Sequence, residues 1–137
     1  MTKNAIISVF DKTHILTLAK YLVKNNYNIY STGGTANLLR SNNINVINIS
    51  DYTMYPEILN GRVKTLHPKI YGGILNIREN NKHKEECSNL DIENIDIVVV
   101  NLYPFEETIR NNPDNISDCI ENIDIGGVSL MRASAKN

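Results

Sequence analysis

Two cations stand close together in segment 61–68, which has the sequence GRVKTLHP. Side chains alternate in direction along an extended segment, so Arg62 and Lys64 would point the same way, with the Thr65 hydroxyl beside them. Two fixed positive charges and a hydroxyl group are suited to binding an anion such as phosphate. The alternative is a solvated basic turn, and this segment alone does not separate the two interpretations.

Two glycine pairs stand where helices are expected to begin. Segment 32–35 is Thr-Gly-Gly-Thr, between a predicted strand and its following helix, and Gly126-Gly127 precede the last predicted helix. Glycines expose backbone amides, and a helix N-terminus gives those amides a positive dipole, so the first pair is suited to phosphate. The second pair offers amide donors for an oxyanion. Each pair is also compatible with a simple turn.

Other polar residues lie after predicted strands or near the last helix, where ligands of open parallel sheets gather. These candidates are Asp11, Lys12, Asn101, Tyr103, Asp124 and Lys136. Each also has an ordinary structural explanation, since a lysine at a helix start is usually solvated and a tyrosine is usually a packed aromatic. The histidines show no ligand spacing and no Ser-His-Asp set stands out, so we expect no metal site.

The composition limits the classes of function. A chain of 137 residues with 14 Lys and Arg against 15 Asp and Glu suits one domain of near-neutral charge, which argues against a nucleic-acid-binding surface. The sequence contains no long apolar run, so we expect neither a signal peptide nor a membrane span. Cys87 and Cys119 form no paired motif. Two free thiols indicate a reducing compartment, and we expect a cytoplasmic protein.

Apolar periodicity predicts the elements that position these residues. Strands are predicted over 5–9, 27–31 and 46–49, with helices after the first two, and Asp11 or Thr13 is expected to cap the first helix. This alternation predicts an α/β fold with a mainly parallel sheet covered by helices on both faces.

The second half of the chain is less regular. Residues 50–68 are predicted to be mostly loop, and a loop of that length in a compact domain is usually functional. We predict a strand over 70–75, loosened by its two glycines, and a buried central strand over 95–100. Residues 78–90 are expected to form a surface helix or loop. Short helices are predicted at 106–110 and 117–121, and a final helix lies within 128–137.

Taken together, the motifs resemble those of the inosine monophosphate (IMP) cyclohydrolase domain family, the N-terminal part of bifunctional purine biosynthesis enzymes. The matching segments, in the family's order, are 8–13 (SVFDKT), 31–36 (STGGTA), 56–57 (PE), 61–68 (GRVKTLHP), 100–105 (VNLYPF), 121–127 (ENIDIGG) and 132–137 (RASAKN). They extend from end to end of the chain, so several weak local signals in the family's order become one specific pattern.

The resemblance implies a three-layer α/β/α fold of the methylglyoxal-synthase-like type. It also implies dehydrative closure of the purine ring, in which 5-formamido-1-(5-phosphoribosyl)imidazole-4-carboxamide becomes IMP without a cofactor. Lys64, Tyr103, Asp124 and Lys136 would be catalytic. The substrate would be bound by Asp11, Lys12, Thr32, Gly33, Gly34, Thr35, Arg62, Thr65, Val100, Asn101, Ile125, Gly126 and Gly127.

Two departures from the family pattern are visible. Phe10 stands where the family commonly has serine, so a hydroxyl near the nucleotide is missing. The family's domain also continues beyond the point where this chain stops, inside a predicted helix, and we therefore expect a fragment of a longer protein. The resemblance implies a downstream transformylase domain that uses 10-formyltetrahydrofolate as cosubstrate, and a homodimer of the full-length protein.

Two other classes of protein share the expected fold. A methylglyoxal-synthase-type lyase has a similar phosphate loop after its second strand but moves protons with acidic groups on a triose phosphate. A non-catalytic effector domain of the kind found in carbamoyl phosphate synthetase would need the phosphate loop but not Lys64, Tyr103, Asp124 and Lys136 together. Turnover of the formamido ribonucleotide separates the three possibilities.

Overall fold

The first strand is buried along most of its length because it lies between two other strands and two layers of helices. In this computed structural model, which describes residues 2–137, a four-stranded sheet has the order β3-β2-β1-β4 and every pairing is parallel. The strands are β1 (Lys3–Ser8), β2 (Tyr27–Ser31), β3 (Ile47–Asn48) and β4 (Ile97–Val100).

Eight α-helices and one 3-10 turn connect and cover the strands within the described residues. The helices are α1 (Ile15–Lys24), α2 (Gly33–Ser41), α3 (Ile49–Thr53), α4 (Pro68–Leu75), α5 (Asn81–Asn89), α6 (Phe105–Asn111), α7 (Ile116–Glu121) and α8 (Gly126–Lys136), and the 3-10 turn spans Leu59–Gly61. Between residues 2 and 137, none of these helices is both long and apolar enough to cross a membrane.

Two apolar clusters, one on each face of the sheet, make the fold a three-layer α/β/α structure. Ala5 and Ile7 of β1 pack on one face with residues of α1 and α2, including Leu22 and Leu39. The intervening residue Ile6 points to the other face, where the second cluster contains residues of α4 and α8. Because alternate residues of one strand face opposite layers, a continuous apolar run is what a doubly covered parallel strand requires. The predicted fold class is confirmed.

The strand predicted over 95–100 is present, but its position in the sheet differs from the prediction. It forms β4, whose Val98 pairs with Ile6 of β1, but among the described residues it lies at one edge of the sheet rather than at its centre. The side chains of β4 are accordingly half-buried, whereas Ala5, Ile6 and Ile7 of the interior strand are fully buried. Its apolar run alone could not distinguish an edge from a central position.

The prediction of a strand over 70–75 is wrong, because this segment belongs to helix α4. Pro68 occupies the first turn, where its missing N–H costs nothing, and the His67 side chain accepts a hydrogen bond of 3.1 Å from the Lys69 N–H. Ile70 and Ile74, four residues apart, form the buried face. The helix signal was therefore the proline at the start and the spacing of the isoleucines.

Smaller corrections concern the caps and the long loop. Asp11 and Thr13 do not cap α1, whose N-cap is His14 in a left-handed conformation. The Asp11 carboxylate instead accepts hydrogen bonds from the backbone and hydroxyl of Thr13, at 2.9 and 2.6 Å, and these bonds hold the pKa of Asp11 below its usual range. Strand β3 is shorter than predicted because Ile49 begins α3, which occupies the start of the predicted 50–68 loop.

The two glycines of α4 provide a matched pair for testing how closely this helix packs. A Cβ atom at Gly73 would lie 2.5 Å from the backbone oxygen of Glu93, whereas the nearest neighbours of one at Gly72 are side-chain atoms of Ile92, with Cδ1 at 2.9 Å. A side chain can move aside more easily than the backbone can. We therefore expect Gly73→Ala to lower the free energy of unfolding by about 2 kcal/mol.

Gly72→Ala is the control for this prediction. Alanine is favoured over glycine in a helix by about 1 kcal/mol, which offsets a small displacement of Ile92, so the variant should be close to neutral. Urea unfolding of both variants measures the difference. Equal stability of Gly73→Ala and Gly72→Ala would contradict the packing described here.

Candidate functional site

A cavity of about 580 Å³ opens at the carboxyl edge of the sheet. The segments that follow β1, β2 and β4 meet there because the carboxyl ends of parallel strands lie at one edge. Segment 60–66 and residues 120–127 close the cavity from the other side. Of the residues predicted from the sequence, it brings together Lys12, Thr32, Gly33, Gly34, Thr35, Arg62, Lys64, Thr65, Asn101, Tyr103, Asp124, Ile125, Gly126 and Gly127.

The turn between β2 and α2 carries two lysine side chains beside it. Gly33 begins α2 with a positive φ of 56°, a conformation that glycine adopts at little cost. A Cβ on Gly33 would lie 3.9 Å from the Lys64 Nζ, and one on Gly34 would lie 3.6 Å from the Lys12 Cε. The first amides of a helix have no partner within the helix, so free amides and two ammonium groups converge on one small volume.

Lys12 is held in place by the backbone of its own loop. Its Nζ donates to the Val9 carbonyl at 2.9 Å and to the Phe10 carbonyl at 3.1 Å. The Thr35 hydroxyl donates to the same Val9 carbonyl at 3.1 Å, which joins the end of β1 to the start of α2. The ammonium group is therefore fixed beside the glycine turn and keeps one donor direction for a ligand.

Gly61 makes room for the Lys64 side chain. Its φ is 81°, in the left-handed region, and a Cβ atom there would lie 2.6 Å from the Lys64 Cε. No larger residue fits without displacing the lysine. The glycine at the start of the basic segment therefore allows the Lys64 chain to lie across it toward Gly33.

Arg62 forms an ion pair that the sequence did not predict. Its Nη2 lies 2.5 Å from an oxygen of Glu121 at the end of α7, and both side chains are exposed. The hydrogen bond and charge of Arg62 hold the pKa of Glu121 below its usual range, and Glu121 in turn raises the pKa of Arg62. Lys64 lies beside Gly33 instead, so the two cations of segment 61–68 line the cavity but contact different groups.

Two carboxylates of the region were missing from the predicted set. Glu121 holds Arg62, and Glu57 accepts a hydrogen bond from the Thr32 hydroxyl. Both residues lie inside the motif segments 56–57 and 121–127. Their position within these motifs was the one sequence feature that could have predicted that they lie beside the site.

Asp124 connects the loop after β4 to the start of α8. One carboxylate oxygen accepts from the Gly127 N–H at 2.7 Å and the other from the Tyr103 N–H at 3.3 Å. A Cβ atom on Gly127 would lie 2.9 Å from both oxygens, so only glycine allows this approach. The buried Thr65 hydroxyl lies nearby, 3.1 Å from the Cβ position of Gly126. These contacts orient the Asp124 carboxylate at the cavity wall.

Asn101 fixes the loop after β1 to the end of β4. Its side-chain oxygen accepts from the backbone N–H groups of Phe10 and Asp11, at 2.6 and 3.1 Å, and its amide nitrogen donates to the Asp11 carbonyl at 2.8 Å. These bonds give Asn101 a structural task that the resemblance did not imply. Its expected contact with a bound base stays a prediction.

Three predicted site residues do not line the cavity. Asp11 is engaged with Thr13, and Val100 pairs with Ser8 within the sheet. Lys136 ends α8, whose first residue Gly126 lines the cavity; a rise of 1.5 Å per residue puts the lysine backbone roughly 15 Å away. The structure therefore does not bring Lys136 to the other candidate catalytic residues, and its catalytic role stays a prediction.

Nothing in the described part of the chain resembles a metal centre. Within residues 2–137, no three His, Cys, Asp or Glu side chains come close enough together to hold an ion. The polar groups that do converge are ammonium groups, backbone amides, hydroxyls, the Asp124 carboxylate and the Arg62–Glu121 ion pair. This set is suited to binding an organic phosphate and to moving protons next to it.

The bonds of Asn101 predict that its removal destabilises the chain. Asn101→Ala deletes acceptors and a donor for two backbone segments, so we expect the free energy of unfolding to fall by about 1–2 kcal/mol. Asn89→Ala, at the exposed end of α5, should change it by less than about 0.5 kcal/mol. Urea unfolding at neutral pH measures both, and equal values would show that the Asn101 bonds do not stabilise the loop.

The ion pair predicts a pH effect. Because the pKa of Glu121 in the folded chain lies below its ordinary value, the pair's contribution to stability is present above that ordinary value and is lost as the pH falls through the folded-state pKa. Arg62→Gln should raise the pKa of Glu121 toward its ordinary value, as followed by carboxyl ¹³C NMR. Arg110→Gln, which removes a guanidinium outside the cavity, should leave it unchanged. An unaltered Glu121 titration in Arg62→Gln would contradict the pairing.

Comparisons with known proteins agree with the fold. The chain is 58% identical over its whole length to the bifunctional purine biosynthesis protein PurH of Caldicellulosiruptor saccharolyticus, and 56% identical to that of Thermoanaerobacter sp.. It spans 27% of the length of each of these relatives. The crystal structure of ForH superimposes with a TM-score of 0.80 at 33% identity, covering all of this chain and 70% of that one. The model of the MGS-like domain matches residues 14–129, and the chain belongs to the MGS-like domain family.

Proposed function

We propose that this chain carries the IMP cyclohydrolase activity of a bifunctional purine biosynthesis enzyme. The observation that carries the proposal is the single cavity in which a phosphate-type turn, Lys64, Tyr103 and Asp124 meet. The names of the relatives support the same pathway, because proteins 58% and 56% identical to the chain are bifunctional purine biosynthesis proteins. The substrate is then the formamido-imidazole-carboxamide ribonucleotide, and the product is IMP.

The phosphate group of the substrate binds at the glycine turn. The amides that begin α2, the Lys12 ammonium and the Thr35 region provide donors and positive charge from two sides. The Arg62 guanidinium is already paired with Glu121. Arg62 therefore binds the phosphate only if this ion pair breaks or if the guanidinium contacts Glu121 and the phosphate together. Lys12 and the turn therefore make up the main part of the phosphate site.

Ring closure joins two groups of the same substrate. The carboxamide nitrogen forms a bond to the formyl carbon, and the formyl oxygen leaves as water with one hydrogen from each of the two nitrogens. An amide nitrogen is a weak nucleophile, so holding both groups at reacting distance supplies much of the rate, roughly several kcal/mol. No cofactor is needed for this step.

In this proposal, three side chains that line the cavity assist the reaction. Asp124, whose carboxylate is oriented by the Gly127 and Tyr103 N–H groups, accepts the proton that the carboxamide nitrogen loses. The Lys64 ammonium stabilises the negative charge that develops on the formyl oxygen. The Tyr103 hydroxyl donates toward the departing water. The proton-transfer role that the resemblance implies for Lys136 stays a prediction, and Lys136, at the far end of α8 from the cavity, takes no part in the steps proposed here.

The resemblance supports two further parts of the proposal. We propose that the other half of the bifunctional protein formylates the aminoimidazole carboxamide ribonucleotide with 10-formyltetrahydrofolate, and that the full-length protein is a homodimer. A cytoplasmic location is consistent with Cys87 and Cys119, which are both free thiols in the structure.

Replacement of Lys64 tests the proposed function. In the full protein that contains the chain, Lys64→Met should lower the rate of ring closure by about 100-fold, because it removes the cation beside the reacting oxygen. Lys84→Met, a matched change at an exposed position of α5, should leave the rate within about twofold. Absorbance of the formamido substrate follows the reaction. Absence of turnover in the unaltered protein, or full activity of Lys64→Met, would contradict the proposal.

A further inference from the structure

Phe10 and Tyr103 form an aromatic pair that lines the cavity, and Phe10 has no part in the proposed ring closure. The two ring centroids lie 5.5 Å apart at an interplanar angle of 67°, an edge-to-face arrangement. The rings are 49% and 41% exposed, respectively, although both are large apolar surfaces. They therefore present a wall of aromatic surface to the interior of the cavity.

The position of Phe10 is set by its backbone rather than by packing of its ring. Its N–H donates to the Asn101 side chain at 2.6 Å, and its carbonyl accepts from Lys12 at 3.1 Å. Tyr103 is fixed in a similar way, since its N–H donates to Asp124. Phe10 is thus bonded to Lys12 of the proposed phosphate site, and Tyr103 is bonded to Asp124, whose carboxylate is expected to face the reacting ring.

We propose that Phe10 is a base-recognition residue of this chain, which binds the heteroaromatic ring of the nucleotide against the wall it forms with Tyr103. This inference rests on the proposed function, because it takes the ligand to be a purine ribonucleotide or its imidazole precursor. A planar heteroaromatic ring gains from stacking on an aromatic side chain, and a ring held in this way also fixes the orientation of its substituents. Phe10 then contributes affinity for the base and leaves the phosphate site unchanged.

Variants at position 10 separate the contribution of the ring from that of the backbone. Phe10→Leu keeps an apolar side chain of similar size but removes the aromatic face, Phe10→Ser removes both, and Phe10→Tyr keeps the ring. We titrate each protein calorimetrically with two probes, IMP and ribose 5-phosphate, which share the ribose phosphate but differ in the base. We expect Phe10→Leu and Phe10→Ser to weaken IMP binding by about tenfold and to leave the dissociation constant of ribose 5-phosphate within about twofold. Phe10→Tyr should bind both probes as the unaltered protein does.

The outcomes distinguish this inference from the proposed function. Equal IMP affinity in Phe10→Leu and the unaltered protein, or an equal loss for both probes, would overturn the role of Phe10 while leaving the ring-closure proposal intact. Selective loss of IMP affinity in Phe10→Leu, with no turnover of the formamido substrate by the unaltered protein, would support base recognition and overturn only the catalytic proposal. Failure of the unaltered protein to bind IMP would overturn both.

Discussion

The parallel arrangement around β1 is the constraint on which the rest of the structure depends. With β2 on one side of it and β4 on the other, the three loops that leave these strands must emerge at the same edge. Asn101 then ties two of these loops together, since its side chain bonds to the backbone of Phe10 and Asp11. Asn101 and Asp11 are 90 positions apart in the sequence, and they become neighbours because each follows one of two paired strands.

Close approach of charged groups to backbone is the second feature that shapes the site. Gly61 admits the Lys64 chain, and Gly127 admits the Asp124 carboxylate, at distances where any Cβ atom would collide. The like charges of Lys12 and Lys64 beside one turn repel each other, at a cost moderated by solvent and by the carbonyl groups that bind Lys12. An anionic group placed between them offsets this repulsion. Gly61 therefore helps to place two positive charges where they favour binding of a phosphate.

Much of the fold could be predicted from the sequence, because the first three strands and the helices after the first two follow simple periodicity. The errors arise where a short sequence pattern is compatible with two different structures. Segment 70–75 has the composition of a strand, but Pro68 and the Ile70–Ile74 spacing make it helical. The apolar run of β4 does not specify an edge position, since half-buried and fully buried strands have similar composition.

The candidate site was predictable to the extent that its residues lie at loop ends. The order of the motifs predicted that Lys12, Lys64 and Asp124 belong to one site, and in the structure all three line one cavity. It could not show that Arg62 is paired with Glu121, because that contact joins residues 59 positions apart. Nor could it show that α8 carries Lys136 away from the cavity, which depends on the direction of the helix axis.

We propose that one nucleotide spans the cavity from the glycine turn to Asp124, and a crystal structure of the chain with IMP bound tests this proposal. We expect the 5′-phosphate within hydrogen-bond distance of the Gly34 and Thr35 amides, and the purine ring against Asp124 and Tyr103. IMP bound outside this cavity, or in the reverse orientation with its phosphate beside Asp124, would contradict it.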